Sequence, residues 1–390
     1  MQTNLIYHGD CFAVLKRHFP EGNNTEGADL IYLDPPFSFD KKYARLWYDK
    51  ETLEMFDELR KGGVKHYLAW LAKRLEQCKR VLKENGSIYL QCDWKLGFNI
   101  KLLMDEIFDG NFQNDIIWHY GLGGSSPKRW ARKHGMILFY TKSKRWYFKP
   151  PMVPAKSQRM KGQLKKMDDV WDIPAINNMA KERTGYSTQK PVTLLERIIS
   201  ASSEEGGLVL DPMCGCGTTI AAAQSLSRRW VGIDVSSQAC DEMKKRMQGE
   251  FGLNIRIEGA PLTIRELKSI GPFEFQDYIC DMANAQKASS KSGDKGIDGM
   301  YSKDEPKIPL QIKQQEGVGR TVVDEFETAI RRKGKTEGCI VGFSFTKGKR
   351  GAYEEVARAK NEEGLDIRLV SVEDLVRNDY ELGRLLTAES

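Results

Sequence analysis

Four short apolar runs in the amino-acid sequence each stop at or near an aspartate. They are residues 30–33 before Asp34, 87–90 before Asp93, 208–210 before Asp211 and 230–233 before Asp234. Continuous apolar runs of this length are typical of parallel strands that are buried on both faces. Ligands bind at the carboxyl ends of such strands. The sequence therefore predicts one functional sheet edge that carries Asp34, Asp211 and Asp234.

Helical patterns lie between these runs and define the expected fold class. They cover residues 67–82, 191–202, 218–226 and 237–247. Pro191 is expected in the first turn of its helix, because its fixed φ suits that position. The alternation of strands and helices predicts a doubly wound α/β sheet.

The sequence pattern of the second part of the chain predicts a separate, smaller α/β unit. A chain of 390 residues is long enough for two domains. The pattern loosens near residue 260, and three further strands are predicted at 309–313, 339–345 and 366–370. We therefore expect a first domain at 1–259, a short helical linker at 260–272 and a second domain at 273–390.

Composition indicates a soluble protein of a reducing compartment. The chain is 29% charged, and it has no apolar run of the length that a membrane span needs. The first residues lack the basic start and apolar core of a signal peptide. None of the eight cysteines forms a C-x-x-C pair, so neither a disulfide framework nor a structural zinc site is expected. We expect a cytoplasmic protein, associated with a prokaryotic or viral nucleoid.

Positive charge is concentrated in one stretch of the chain. Residues 116–167 contain thirteen Lys or Arg, eight aromatic residues and no Asp or Glu, although the whole chain carries only +6. Basic residues mixed with aromatic ones suit nucleic acid, whose phosphates are anionic and whose bases stack. A solvated basic face with buried aromatics is the alternative interpretation.

A glycine-rich turn follows the third apolar run. Gly215 and Gly217 lie between the Asp211 strand and a predicted helix, and Asp234 ends the next strand. A carboxylate at that position can accept hydrogen bonds from ribose hydroxyls. Asp211 would repel a pyrophosphate, but it suits a cationic ligand. S-adenosylmethionine, which has a sulfonium, an ammonium and a ribose but no phosphate, fits this pattern. The alternative is an ordinary strand–helix turn.

The tetrapeptide Asp34-Pro35-Pro36-Phe37 follows the first apolar run. Two prolines fix an extended path and remove two backbone donors, so that acceptors dominate this strand end. Such acceptors can bind both hydrogens of an exocyclic amine and free its lone pair, while Phe37 offers a face on which a base can stack. A rigid turn with a buried phenylalanine is the alternative.

Together these motifs resemble the β class of DNA amino-methyltransferases, over roughly residues 1–259. The resemblance implies that Asp34, Pro35, Pro36 and Phe37 form the catalytic motif. It also implies that residues 116–185 form the target-recognition region, with Lys128, Arg129, Arg132 and Lys133 on DNA. Segments resembling the family's cofactor site contain Asp10, Cys11, Gln189, Lys190, Asp211, Met213, Gly215, Gly217, Thr218 and Asp234.

The expected reaction is methylation of adenine N6 in double-stranded DNA. The target base must leave the duplex to reach Asp34, and its amine attacks the sulfonium methyl directly. The chain has no Pro-Cys pair, which disfavours 5-methylcytosine chemistry. Asp before Pro-Pro-Phe favours adenine, and cytosine N4 is the alternative. A DNA-binding module with a degenerate cofactor site is the alternative of another class. A homodimer is a further expectation.

The second domain resembles the Mrr-like branch of restriction endonucleases. Asp298 precedes a strand that carries Gln311 and Lys313 two residues apart, and hence on one face. This set can hold Mg²⁺, with Asp298 as the metal ligand, and orient a water on phosphate. Residues 331–335 are basic and are expected on backbone phosphates. One interpretation is a bifunctional methyltransferase–nuclease, and the other is an inactive nuclease-like domain that binds DNA.

Overall fold

The computed structural model divides the chain into two compact units, Met1–Ala260 and Pro261–Ser390. The structure describes residues 3–19, 27–36, 61–121, 125–155, 158–177, 180, 182–186, 188–259, 264–283, 285–288, 296–302, 307–377 and 382–387.

The first unit contains eleven strands and six α-helices among its described residues. The strands are β1 (Leu5–His8), β2 (Ala28–Leu33), β3 (Leu82–Cys92), β4 (Phe112–His119), β5 (His134–Thr141), β6 (Met152–Pro154), β7 (Leu164–Lys166), β8 (Val170–Asp172), β9 (Leu208–Asp211), β10 (Arg229–Asp234) and β11 (Arg256–Gly259). The helices are α1 (Cys11–His18), α2 (Gly63–Val81), α3 (Gly97–Ile107), α4 (Val192–Ser202), α5 (Thr218–Ser225) and α6 (Ser237–Phe251). A 3₁₀ turn covers Gln158–Met160.

Nine of these strands form one sheet in the order β11-β1-β10-β9-β2-β3-β5-β4-β8. The strands from β11 to β3 are all parallel, whereas β5 runs antiparallel to both β3 and β4. The strands β6 and β7 form a separate antiparallel hairpin. The predicted parallel strands are thus confirmed.

Helices cover both faces of this sheet. Alternate β2 residues point to opposite sides: Ile31 packs in a cluster with α1, α2 and α3, and Leu30 packs in a cluster with α4, α5 and α6. The predicted doubly wound α/β class is therefore confirmed.

The second unit has its own sheet and core. Its strands are β12 (Ala285–Lys287), β13 (Gly299–Tyr301), β14 (Ile308–Lys313), β15 (Glu337–Gly342) and β16 (Asp366–Ser371), paired in that order. Its helices are α7 (Ile264–Ser269), α8 (Pro272–Met282), α9 (Arg320–Arg332), α10 (Ala352–Glu363), α11 (Val372–Arg377) and α12 (Leu382–Thr387). The strands β14, β15 and β16 are parallel, and α9 and α10 supply much of the core.

Several helix boundaries differ from the predictions, among them the start of α2 at Gly63 instead of residue 67, and two of the differences have a clear physical reason. Pro191 precedes α4 with an extended ψ of 135°, so it caps the helix rather than occupying the first turn. The helix α6 continues past Met247 to Phe251, because its stop signal is Gly252 with a left-handed φ of 67°. Within the described parts of both units, no helix is long and apolar enough to span a bilayer.

Candidate active site

The three predicted acids lie at one edge of the first sheet. Asp211 ends β9 and Asp234 ends the neighbouring strand β10, while Asp34 directly follows β2 on the other side of β9. All three strands are parallel, so their carboxyl ends meet. The three acids therefore share one edge, as the sequence predicted, and the function of that edge stays a prediction.

Two of these carboxylates are buried, and the negative charges of all three repel one another. Asp211 is only 2% exposed. Burial raises its pKa to about 7, and the charges of Asp34 and Asp234 add to this rise against the lowering effect of hydrogen bonds from Thr219 and Met213. Burial also raises the pKa of Asp234, although backbone N–H groups partly offset the rise. A cation placed here would stabilise the ionised acids.

The glycine-rich turn is hydrogen-bonded to the Asp234 carboxylate. One of its carboxylate oxygens accepts a hydrogen bond from the Gly215 N–H at 2.7 Å, and the other accepts one from Ser236 at 2.9 Å. Gly217 has a left-handed φ of 74° directly before α5. A Cβ on Gly217 would collide with Met243 Cγ. The backbone of this turn therefore depends on glycine.

Replacing Gly217 with alanine should destabilise the first unit by about 1–3 kcal/mol, since a left-handed residue without glycine carries that cost before the collision with Met243 is added. Urea denaturation of the full chain measures the change. The matched control is Gly249→Ala, because Gly249 lies in α6 and its Cβ would meet open space. The control should change stability by less than about 1 kcal/mol in either direction. Equal stability of Gly217→Ala and the unmodified protein would contradict the assigned conformation.

Asp34 forms an ion pair that the sequence did not predict. Its Oδ2 pairs with the Lys190 ammonium, and the two side chains are 20% and 14% exposed. Lys190 also donates to the Thr188 carbonyl at 3.1 Å. Lys190 thus lies beside the expected catalytic acid, whereas the resemblance implied only a cofactor contact. Pro35 is buried next to Asp34, and Phe37 lies outside the described residues.

Side-chain hydrogen bonds hold residues 182–186 and 188–190 in place. Gln189 accepts from the Thr184 N–H at 2.9 Å and donates to the Glu182 carbonyl at 2.6 Å. Tyr186 is buried and lies against Gly215 of the glycine-rich turn. The amide of Gln189 therefore braces this loop, and its predicted contact with the cofactor gains no support from the side chain.

Asp10 is engaged on both of its oxygens. One accepts hydrogen bonds from Phe12 and Ala13 at the start of α1, and the other pairs with Arg74 of α2 at 2.8 Å. Arg74 is only 3% exposed, and its guanidinium lies 4.1 Å from the centre of the Trp70 ring. Sequence reasoning missed Arg74, because one arginine in an amphipathic helix gives no signal of a partner 64 residues away.

The remaining predicted cofactor residues lie in or beside the same edge. The Cys11 side chain is buried, and burial raises the pKa of its thiol. The Met213 N–H donates to Asp211 at 3.1 Å. The Thr218 hydroxyl accepts from Arg246 at 3.3 Å. These three residues shape the site through internal contacts, and their contact with a cofactor stays a prediction.

The basic stretch is divided between the two ends of the sheet. Residues 125–133 precede β5, whose start pairs with the carboxyl end of β3, beside Asp34 and β2. Residues 142–149 follow β5 and lie at the opposite end, where the Tyr147 N–H donates to the Asn85 carbonyl. Only the first part, with Lys128, Arg129, Arg132 and Lys133, shares the edge of the candidate site.

The aromatic residues of this stretch fall into two groups. Trp118, Phe139 and Tyr140 are buried in the sheet, as the alternative interpretation of the stretch expected. Trp130 is 95% exposed. The Arg132 guanidinium lies over the ring of Trp94, a residue outside the stretch, with 3.0 Å between Cζ and the ring centre. The surface available to a base or phosphate is therefore smaller than the composition suggested.

The second unit brings its predicted residues together at β14. The Ile312 N–H donates to Asp298 at 2.7 Å. Burial raises the pKa of Asp298, and this hydrogen bond and the charge of Lys313 offset part of the rise. Gln311 is 1% exposed, and its Oε1 has no hydrogen-bond partner within the described part of the chain. Asp298, Gln311 and Lys313 thus form one cluster near the carboxyl end of β14.

The basic residues at 331–335, which were predicted to contact phosphates, do not lie at that end of the sheet. They precede β15 and lie at its amino end, because β14 and β15 are parallel. The exposed cations Lys347, Lys349 and Arg350 instead follow the carboxyl end of β15. The contact of residues 331–335 with phosphate stays a prediction, but these residues lie away from Asp298, Gln311 and Lys313 along the strand direction.

A second acidic cluster in this unit is neutralised by arginines. Asp324, Glu327 and Glu355 are the one group of three metal-ligating side chains found among the described residues. Arg358 pairs with Glu327 at 2.9 Å, and Arg320 pairs with Glu355 at 2.8 Å. These ion pairs join α9 to α10, so the cluster has a structural role.

Family comparisons match both units. A family model described as DNA methylase matches residues 28–245, more than half of the chain. The chain belongs to the DNA methylase family. As a DNA methylase, it transfers methyl groups to DNA. A second model, described as restriction endonuclease, matches residues 267–378, which include Asp298, Gln311 and Lys313. Both resemblances noted in the sequence are thereby confirmed.

Three curated relatives of this DNA methylase align over its first unit. Type II methyltransferase M.HpaI of Haemophilus parainfluenzae is 32% identical over 228 residues, covering 57% of this chain and 69% of that protein. DNA adenine methyltransferase YhdJ of Escherichia coli strain K12 is 30% identical over 263 residues, covering 61% and 80%. Type II methyltransferase M.BglII of Bacillus subtilis is 30% identical over 274 residues, covering 63% and 69%.

Proposed function

We propose that this DNA methylase transfers a methyl group from S-adenosylmethionine to the exocyclic N6 of adenine in double-stranded DNA. The observation that carries the proposal is the meeting of Asp34, Asp211 and Asp234 at one sheet edge, with the proline pair directly after Asp34. Relatives named as adenine or type II methyltransferases support the choice of reaction.

The donor set fits S-adenosylmethionine. The buried acids Asp211 and Asp234 have raised pKa values, which a cationic ligand would lower. Asp234 would accept hydrogen bonds from the ribose hydroxyls beside the Gly215 N–H. When bound, the cofactor supplies a methyl group on a positively charged sulfur. The protein contributes mainly alignment and electrostatics, through the side chains of this edge.

Asp34 would bind the target amine. Its carboxylate accepts an N–H of the amine, and the Pro35 carbonyl can accept the other, because neither Pro35 nor Pro36 has a competing N–H. Lys190 orients the carboxylate through its ion pair. Asp34 is also the group placed to receive the proton that the methylated amine must lose. The base has to leave the duplex to reach this point.

Cytosine N4 is the second candidate for the target. Its exocyclic amine offers Asp34 the same two N–H donors, so the acid alone does not distinguish the bases. Adenine is proposed because of the Asp-Pro-Pro-Phe motif and the relative YhdJ, which is named as an adenine enzyme. Long-read sequencing of DNA from cells that express the protein identifies both the base and its sequence context. N4-methylcytosine without N6-methyladenine would overturn the proposal.

Cofactor affinity should rise with pH between 6 and 7.5. The pKa of Asp211 is raised to about 7, so the acid is mostly protonated at pH 6 and mostly ionised at pH 7.5. Because a cationic ligand prefers the ionised acid, we expect binding to be about fivefold to tenfold weaker at pH 6. The upper limit stays below the ordinary pKa of an α-amino group, so the ligand keeps its ammonium.

Isothermal titration calorimetry with S-adenosylmethionine measures this pH dependence. The control is Asp211→Asn, which cannot titrate and should bind with an affinity that is constant over the same range. Equal dissociation constants of the unmodified protein at pH 6 and 7.5 would show that Asp211 does not face the cofactor.

A nuclease activity of the second unit is a further candidate. The observation that favours it is the unpartnered, buried Gln311 Oε1 beside Asp298, within the described residues. Asp298 would hold Mg²⁺ with Gln311 as a neutral ligand, while Lys313 would stabilise charge on the phosphate. The exposed cations Lys347, Lys349 and Arg350 lie at the same end of the sheet and suit phosphate contacts. An inactive, DNA-holding unit is the competing candidate.

Cleavage by the full chain should require Mg²⁺ or Mn²⁺ and should vanish in Asp298→Ala and in Lys313→Ala. Methyl transfer should survive both changes, because its residues lie in the other unit. The assay uses methylated and unmethylated plasmid, with and without metal. Lys335→Ala is the control, because Lys335 lies at the opposite end of β15, and it should cleave normally. Absence of cleavage on every substrate would favour the DNA-holding candidate.

The homodimer also remains a prediction. Sedimentation equilibrium of the full chain, with and without DNA, tests it directly.

A further inference from the structure

The indole of Trp130 is almost fully exposed. Its side chain is 95% accessible, more than any other large apolar residue described in the structure. Its neighbours in the chain include Lys128, Arg129, Arg132 and Lys133, and the stretch from 116 to 167 has no acid. A flat ring among cations matches a polyanion with stackable bases. The occupant that these charges fit is duplex DNA.

Strand pairing locates this loop near the candidate catalytic acid. The strand β5 begins at His134, and Met136 pairs with Cys92 at the carboxyl end of β3. The strand β3 lies next to β2, which Asp34 follows. Neighbouring strands are about 4.8 Å apart, so the start of β5 lies about 10 Å from the line of β2.

The base of the loop is fixed to the sheet edge. Arg132 lies over the ring of Trp94, which directly follows β3 and Asp93. The Tyr120 N–H also donates to the Lys133 carbonyl at 2.9 Å, which ties the two ends of the loop together. Trp130 is therefore carried on a loop anchored on both sides, at the edge where a base would have to enter.

We propose that Trp130 enters the duplex beside the extruded adenine and stacks on the bases that remain. The proposal rests on the proposed function, which requires that the target leave the duplex. Extrusion removes stacking and pairing on both sides of the target. An aromatic ring compensates for lost stacking with any neighbouring base, because every base has a π-face. Trp130 then acts as a positioning residue for the flipped state rather than as a group that touches the reacting atoms.

The test compares two duplexes that carry the site identified by sequencing. In one, the target adenine is paired with thymine, and in the other it faces an abasic position, so that it is already unpaired. Single-turnover methylation by Trp130→Ala should be about 10–100-fold slower than by the unmodified protein on the paired duplex. On the abasic duplex the difference should shrink to within about threefold. Trp130→Phe should retain most of the paired-duplex rate.

The control variant is Trp146→Ala. Trp146 is 38% exposed and belongs to the same basic stretch, but it lies at the opposite end of the sheet. It should methylate both duplexes at the unmodified rate. A 2-aminopurine at the target position provides a second measurement, since its fluorescence should rise on binding of the unmodified protein and much less with Trp130→Ala.

Two outcomes would overturn the inference. Equal losses on the paired and abasic duplexes would assign Trp130 to DNA binding alone, and no loss on either would leave it without a role in methylation. Failure of the proposed function is distinguishable, because the unmodified protein would then produce no N6-methyladenine on either duplex. Thermal unfolding should be unchanged in Trp130→Ala, as the residue contributes nothing to the core.

Discussion

Replacing Asp34 with alanine should lower the rate constant for methyl transfer by about 10²–10⁴-fold, the range expected when a positioned acceptor is lost. Cofactor affinity should change by no more than about threefold, because the charges proposed to face the cofactor are those of Asp211 and Asp234. The ion pair with Lys190 also disappears in this variant. Asp34→Asn, which keeps an acceptor oxygen, should therefore be less impaired than Asp34→Ala.

The matched control for Asp34→Ala is Glu84→Ala. Glu84 is also a carboxylate paired with a lysine, Lys142, at 3.1 Å, but it lies at the amino end of β3, away from the candidate site. Single-turnover assays and calorimetry on all three variants separate chemistry from binding. Near-normal turnover of Asp34→Ala would refute the assignment of the catalytic motif, whatever the control does.

Neutralising Lys128, Arg129, Arg132 and Lys133 together should have the largest effect on DNA binding. Each phosphate contact that is lost lowers the slope of log affinity against log salt by about 0.9, so four contacts lower it by about 3.6. Affinity for a duplex of arbitrary sequence should fall as well, because phosphate contacts carry no sequence information. Fluorescence anisotropy at several salt concentrations measures both quantities.

The basic stretch provides its own control for this experiment. Lys144, Arg145 and Lys149 are exposed cations of the same stretch, but they follow β5 and lie at the opposite end of the sheet. Glutamine at these three positions should leave the slope nearly unchanged. If both variants lowered the slope equally for each charge removed, DNA would not be confined to the edge that carries Asp34.

Sequence patterns predicted the parallel part of the first sheet well. The strands β2, β3, β9 and β10 are buried and contain the four apolar runs, whereas β1 and the more exposed edge strand β11 were not predicted. The turn at Gly215 and Gly217 could be predicted, because few residues other than glycine adopt a left-handed backbone conformation. The strands β4 to β8 were not predicted either, because polar and basic residues interrupt the apolar pattern in this region.

Contacts between distant residues could not be predicted. Lys190 pairs with Asp34 across 156 positions, and a lysine in a loop gives no indication of its partner. The roles of Asp10 and Gln189 were drawn from motif resemblance, yet their side chains are occupied by helix capping and loop bracing. Strand direction also decided which basic residues share an edge, as the positions of 142–149 and 331–335 illustrate.

The strands β4 and β5 are antiparallel neighbours whose pairing extends from Phe112–Tyr140 to His119–His134. The connection between them therefore leaves and re-enters the sheet at two adjacent, hydrogen-bonded positions, and it contains the loop that carries Lys128, Arg129 and Trp130. A change in the length or composition of this connection leaves the register of β2, β9 and β10 untouched. The DNA contacts proposed for this connection can therefore diverge, in evolution or by loop grafting, without rebuilding the edge that carries Asp34, Asp211 and Asp234.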